Sequence, residues 1–162
     1  SLGAVRINRA LAQSWQDVVA AGWQILHAAG ERNDIADPGD PAYRIVPYID
    51  RMDLAFAVAD MIVSRSGAAT VSEISALGIP AVYVPYAVGN GEQALNASAA
   101  VSAGAAVLIP DGELTGDRIR STVVPLLTDP TARQRMRDGA STVGTRSGSE
   151  NVLGLIDRAL GR

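Results

Sequence analysis

The stretch Ser64-Arg65-Ser66-Gly67-Ala68-Ala69-Thr70-Val71-Ser72-Glu73 decides how this chain is read. The apolar run Asp60-Met61-Ile62-Val63-Ser64 enters it as a strand, and helical spacing from about Ala69 to Leu77 leaves it, so the stretch is a turn between a buried strand and a helix. Gly78-Ile79-Pro80 then stops the helix, and Ala81 to Val84 resumes as another buried strand. Short strands that are apolar on both faces and alternate with helices build a parallel sheet covered on both sides. The expected fold is α/β, a doubly wound, Rossmann-like domain.

The pattern extends in both directions. Downstream, a glycine-rich connection from Tyr86 to Gly91 leads to a helix over Glu92 to Ser102, Gly104 ends it, and Ala106 to Ile109 forms a strand. Helices over Thr115 to Leu127, Thr131 to about Val143 and Asn151 to Leu160 follow, punctuated by Pro130 and Ser147-Gly148. Upstream, Ile7, Leu11, Trp15, Val18 and Val19 mark an amphipathic helix from about Ala4 to Ala21. A strand over Trp23 to Ala28, a polar loop over Glu31 to Pro41, a strand over Tyr43 to Val46 and a short helix over Asp53 to Ala59 come next. Ligands of such sheets bind beyond the carboxyl ends of the strands, which directs attention to the loops after Ala28, Ser64 and Val84.

Composition bounds the function classes. A chain of 162 residues, 48% hydrophobic and 19% charged, is the size of one domain with one apolar interior. Its net charge of -3 and scattered basic residues give no surface for nucleic acid. Cysteine is absent, which removes disulfides, thiolate metal sites and cysteine nucleophiles, and the single histidine removes a histidine-rich metal site. No stretch reaches the roughly 20 apolar residues needed to cross a bilayer. The opening Ser1-Leu2-Gly3-Ala4, without Met and running straight into a helical pattern, reads as a fragment whose preceding strand has been cut away.

Which residues can carry chemistry? The helix that begins near Ala68 presents unpaired N–H donors and about half a unit of positive charge, a setting that suits a diphosphate, and Gly67, Ala68 and Ala69 are small enough to let it approach. Glu73, one turn beyond Thr70, could accept from both hydroxyls of a ribose; equally, Thr70 and Glu73 fit a capping box. In Gly89-Asn90-Gly91-Glu92-Gln93 the amide and carboxylate could hold sugar hydroxyls, or Asn90 could cap the helix with Gln93 reaching back. Asn96, a turn further on, is either a sugar contact or solvated surface. Ser1-Leu2-Gly3-Ala4 fits the tail of a glycine-rich turn, or a frayed end. Tyr48-Ile49-Asp50-Arg51-Met52 fits ordinary turn chemistry as well as a binding loop. His27 reads as a packed strand residue rather than a catalyst.

Four blocks in order resemble the MurG family of bacterial UDP-N-acetylglucosamine transferases, which convert lipid I to lipid II in peptidoglycan synthesis. They are Ser1-Leu2-Gly3-Ala4 through Asn8, Tyr48 to Met52, Arg65 to Glu73, and Gly89 to Gln93 through Asn96-Ala97. The resemblance implies a GT-B enzyme in which residues 1–162 are the C-terminal, donor-binding domain, with the N-terminal acceptor domain and the first strand outside the chain. It implies that Ser1 and its neighbouring backbone meet the diphosphate, and that Asn8, in the same block, is a substrate contact. Ile49 would bind the uracil edge through its backbone, Ala68, Ala69 and Thr70 would line the nucleotide, and Glu73 would hold the ribose. Glu92, Gln93 and Asn96 would contact the sugar. Many members carry two glutamines where Glu92 and Gln93 stand; a carboxylate accepts hydrogen bonds but cannot donate them.

By the same resemblance the donor substrate is UDP-N-acetylglucosamine, the acceptor is lipid I, and the transfer inverts the anomeric carbon. The base that deprotonates the acceptor and the membrane-facing patch belong to the other domain, so the chain alone is expected to be inactive and the full-length protein to sit on the inner face of the plasma membrane. No acidic pair points to a metal, no cofactor is expected, and magnesium dependence stays open. Two other readings remain: the donor-binding subunit of a different GT-B enzyme, and a non-catalytic nucleotide-sugar-binding domain.

Overall fold

A computed structural model describes residues 4–86, 91–144 and 148–160. Its five strands are β1 (Ile25–Ala28), β2 (Tyr43–Val46), β3 (Ile62–Ser64), β4 (Ala81–Tyr83) and β5 (Ala106–Leu108). All pairings are parallel, as expected; a loop alone connects β1 to β2, and one helix separates each later pair of consecutive strands. The parallel strands form two sheets: β1 pairs with β2, and β3, β4 and β5 form a three-stranded sheet in that order. Among the described residues no ladder joins β1 to β3.

Helices α3 (Met52–Val58), α4 (Ala68–Leu77) and α5 (Glu92–Ser102) fall within a residue of their expected limits. The first helix does not run unbroken to Ala21. It divides into α1 (Val5–Ala12) and α2 (Trp15–Ala20), because the buried Ser14 hydroxyl donates to the Ala10 carbonyl at 2.8 Å, a back-bond that bends helices. The helix expected over Thr115 to Leu127 is likewise composite: α6 (Gly116–Arg118), a π-helical turn (Ile119–Val123) and α7 (Val124–Thr128). Pro125 has no N–H for an α-helical bond to the Ser121 carbonyl, so the register widens just before it. α8 (Pro130–Val143) starts where Asp129 accepts from the N–H groups of Thr131 and Ala132, and α9 (Gly148–Ala159) follows. No helix among the described residues is long and apolar enough to cross a membrane.

Strand alternation divides the interior into two clusters. Val82 and Val84 face Ile7 and Ala10 of α1, Val18 of α2, and Ile109, Leu114, Ile119 and Val123. Ala81 and Tyr83 face the other way, onto Val71 and Ile74 of α4, Ala97 and Ala100 of α5, and Ala140 of α8. The three-stranded sheet is thus covered on both faces, which fixes its carboxyl edge as the open side of the fold. Gly78 ends α4 with a φ of 72°, in the left-handed region that glycine enters without strain, while the Ile79 N–H returns to the Ile74 carbonyl.

β1 and β2 are joined to α1 by a buried polar chain. Asn8 Nδ2 donates to the Ala29 carbonyl at 2.8 Å, His27 Nε2 lies 3.0 Å from Asn8 Oδ1, and His27 Nδ1 lies 2.8 Å from the Tyr43 hydroxyl. Because a carbonyl oxygen only accepts, Nε2 carries the proton toward Asn8 and the Tyr43 hydroxyl donates to Nδ1. Trp15 of α2 stacks on Tyr43 with ring centroids 5.4 Å apart. His27 is therefore the packed strand residue expected.

Burial pushes the His27 imidazole below its ordinary value of 6.5. The unfolded chain then binds the proton first as pH falls, so the stability that His27 contributes is present above about pH 6.5 and is lost on acidification below it. Between about pH 7 and 5, unfolding free energy is expected to fall with a slope of at most about 1.4 kcal/mol per pH unit from this residue. Denaturant melts of the parent and His27→Gln measure it: the variant should be less stable at neutral pH and lose that slope, and an unchanged slope would assign it to other groups.

Candidate functional site

The abrupt exit from β3 builds the centre of the open edge. Gly67 is the N-cap of α4, with extended φ and ψ of -64° and 147°, and no side chain closes the helix; the Asp129 cap of α8 shows what closure looks like. Val71 makes the first intrahelical bond, to the Gly67 carbonyl at 2.9 Å, which places the N–H groups of Ala68, Ala69 and Thr70 ahead of the internal ladder. Ala68 and Ala69 are exposed, Thr70 is half-buried, and the first turn carries no acid to oppose an anion. The Ser66 hydroxyl just before the cap is fully buried and has no hydrogen-bond partner among the described residues.

This geometry removes the capping-box alternative for Thr70 and Glu73, since Thr70 is inside the helix and the cap is Gly67. Glu73 is exposed, and among the described residues it has no hydrogen-bond or ion-pair partner. The second capping alternative fares similarly. The N-cap of α5 is Gly91, at a φ of 75° that glycine alone adopts without strain, and no side chain caps it. Gln93 does reach back, but to Tyr86, whose N–H it accepts through Oε1 at 2.9 Å.

Glu92 is exposed beside Gln93. Asn96 Nδ2 donates to the Ser66 carbonyl at 3.1 Å, tying α5 to the turn that opens α4, so residues 30 apart in sequence meet at the site. Ile49, half-buried, lies in the loop from β2 to α3, next to the largely exposed Tyr48 and to Arg51, which closes on Asp53 at 2.6 Å. Asn8 does not face the open edge: it is buried, and its amide is engaged by Ala29 and His27. Ser1, Gly89 and Asn90 lie outside the described residues.

Sequence reasoning quoted Arg65 without giving it a role and passed over Asp111 and Tyr86. Arg65 Nη1 donates to the Val84 carbonyl at 2.9 Å and lies 2.6 Å from Asp111 Oδ1, and its guanidinium sits 5.2 Å over the Tyr86 ring. Asp111 Oδ2 also accepts from Arg6 Nε of α1 at 3.0 Å. Burial pushes the Asp111 carboxyl up, but hydrogen bonds and the positive charges of Arg65 and Arg6 outweigh it and hold the group below the usual carboxylate value. Only the turn signal of Pro110-Asp111-Gly112 was local; the partners are 46 and 105 residues away. Arg6, Arg9, Arg65, Tyr86, Asp111 and Thr115 help to line an open crevice of about 380 Å³ on the α1 side; its walls stop at Arg65 and Tyr86 and do not reach Glu73.

Comparison with known proteins gives a consistent picture. The model of the glycosyltransferase family 28 C-terminal domain matches residues 1–152. A Clavibacter sepedonicus protein named UDP-N-acetylglucosamine--N-acetylmuramyl-(pentapeptide) pyrophosphoryl-undecaprenol N-acetylglucosamine transferase is 48% identical over 160 residues, covering 99% of this chain and 44% of its own. A protein of the same name from Mycolicibacterium smegmatis is 48% identical over 156 residues, 94% of this chain and 40% of its own. Among solved structures, Acinetobacter baumannii MurG matches with a TM-score of 0.78 at 24% identity over 97% of this chain and 47% of that one. The calicheamicin glycosyltransferase CalG4 matches at 0.64 and 24% identity over 95% of this chain and 38% of that one. The chain spans less than half the length of these relatives. The structural likeness shows the fold, the C-terminal domain of a GT-B glycosyltransferase.

Because Glu73 caps nothing, Glu73→Ala is expected to change unfolding free energy by no more than about 0.5 kcal/mol, the usual range for a surface substitution. Loss of about 1 kcal/mol or more in a denaturant melt would restore a capping role.

Proposed function

The chain belongs to the glycosyltransferase family 28 C-terminal domain family, and from that membership we propose that it is the donor-binding half of the enzyme that transfers N-acetylglucosamine from UDP-N-acetylglucosamine to lipid I, yielding lipid II for peptidoglycan. The observation that carries the reading is the start of α4: donors without a capping side chain behind small exposed residues, with an unpartnered Glu73 one turn further on.

The diphosphate rests against the N–H groups of Ala68, Ala69 and Thr70. In an inverting transfer the acceptor hydroxyl attacks the anomeric carbon while the bond to UDP breaks, so negative charge grows on the diphosphate. Fixed backbone dipoles stabilise that charge without reorganising solvent, the logic of an oxyanion hole. Glu73 accepts from the ribose hydroxyls, the Ile49 backbone meets the uracil edge, and Ser1 belongs to the diphosphate turn. Gln93 and Glu92 divide the sugar hydroxyls by chemistry: with Oε1 taken by the Tyr86 N–H, Gln93 offers its NH₂ end as a donor, whereas Glu92 only accepts. Asn96 combines a sugar contact through Oδ1 with its strut to Ser66.

The acceptor-activating base and the membrane-binding patch lie in the other half of the full-length protein, which works at the inner face of the plasma membrane. Calorimetry on the 162-residue chain is expected to show binding of UDP and UDP-N-acetylglucosamine but not NAD. Glu73→Ala should weaken UDP by about tenfold to a hundredfold, or about 1.5 to 3 kcal/mol. Supplied with donor and a lipid I analogue, the chain alone should transfer nothing; measurable turnover would show that the base is within residues 1–162, and equal affinity for NAD would remove the donor assignment.

A further inference from the structure

We infer that Arg65 is a positioning residue that couples the nucleotide half of the donor site to its sugar half, with Asp111 and Tyr86 holding its guanidinium in place. The inference rests on the donor-site reading above. It arises from where Arg65 sits and from how completely its side chain is engaged.

Along the chain, Arg65 is two residues before Gly67, the cap of α4, so its backbone leads directly into the segment assigned to the diphosphate. Across space, its side chain gathers the carboxyl ends of the other two strands of the sheet. Nη1 bonds the Val84 carbonyl just past β4 and pairs with Asp111 just past β5, while the guanidinium plane lies over Tyr86. Tyr86 in turn donates its backbone N–H to Gln93 Oε1, and that bond decides which end of the Gln93 amide faces the sugar. The route from diphosphate turn to sugar contact is therefore Arg65, Tyr86, Gln93.

The side chains of Arg65 and Asp111 are only 18% and 13% exposed, so the pair is poorly screened by solvent. Arg6 holds the second oxygen of Asp111, which leaves the carboxylate little freedom to turn away from Arg65. With Nη1 committed to the Val84 carbonyl and Asp111 and the guanidinium plane lying over Tyr86, Arg65 acts through the loops it holds. A lysine at this position would keep the charge but not the planar fork or the stacking surface, and it could not satisfy carbonyl, carboxylate and ring together.

Calorimetric titration of the 162-residue chain with UDP and with UDP-N-acetylglucosamine tests this. The quantity of interest is the ratio of the two affinities, the increment contributed by the sugar. In Arg65→Lys and Asp111→Asn that ratio is expected to fall at least about fivefold, the lower end of usual coupling between sites, while UDP alone changes by less than about twofold. The double variant should lose no more than either single one, because both break one link. Tyr86→Leu gives a second route that spares the fold, since Tyr86 is 39% exposed, and it should lower the same ratio.

A ratio unchanged in all three single variants overturns the coupling. So does an equal loss for both ligands, which is what a merely structural role for the ion pair produces, and so does a ratio near one in the parent. Glu73→Ala is the internal reference and should weaken both ligands by the same factor. Failure of the parent to bind UDP at all would defeat the donor-site reading itself, whereas normal UDP binding with an unmoved ratio defeats only the role of Arg65.

Discussion

A parallel strand buried on both faces has to end before its helix can begin, and here the change takes three residues, Arg65 to Gly67, between Ser64 of β3 and Ala68 of α4. Nothing in so short a turn can fold back to satisfy the first N–H groups of the helix. A side-chain cap would require Ser, Thr, Asp or Asn where Gly67 stands. The donors are consequently left facing the open edge, and the small residues beside them follow from the same economy of space. Closing the sheet with helices on both faces leaves the carboxyl ends of the strands as the side where such donors can meet a ligand.

The open terminus alone would be an imprecise site. Precision comes from ties between loops: Asn96 to the Ser66 carbonyl, Gln93 to the Tyr86 N–H, and Arg65 to Val84 and Asp111. The first two run from α5 to the residues that follow β3 and β4, and the third joins the ends of all three strands, so the helices α4 and α5 start at positions set by polar contacts as well as by core packing. Exposed ion pairs elsewhere, such as Arg51 with Asp53, are open to water and add little. The Arg65 and Asp111 pair differs in being largely shielded and in having a second arginine behind it.

The alternation of strands and helices, the glycine stop at Gly78 and the limits of α5 were legible from spacing and punctuation, because those signals are local. The break at Ser14 was not, since the hydroxyl's bond to Ala10 competes silently with a continuous apolar stripe. Two helix starts were read as ambiguous between cap and ligand, and only geometry separates them: Thr70 could cap α4 only if the helix began at Val71, three residues later than it does. Asn8 shows the opposite limit. Its place in a sequence block suggested a substrate contact, yet it is drawn inward by a histidine 19 residues away and a carbonyl 21 residues away. Asp111 was illegible for the same reason, as its meaning lies in arginines brought from the turn after β3 and from α1.

The break between β1 and β3 gives this inward pull a wider role. With no ladder between the two sheets among the described residues, side-chain contacts help to hold β1 and β2 to the rest of the fold. Ile25 packs into the cluster under β4, and α1 carries both Ile7 and Ala10 in that cluster and Asn8 in the polar chain to His27 and Tyr43. Helix α1 thus ties the sheet of β1 and β2 to the cluster under β4, and its Arg6 reaches Asp111 just past β5. Buried polar groups that are fully hydrogen-bonded specify one arrangement far better than apolar contacts, which tolerate sliding. An asparagine turned into the core can serve the site as well as one turned toward the ligand, by fixing the distance between the two sheets that share it.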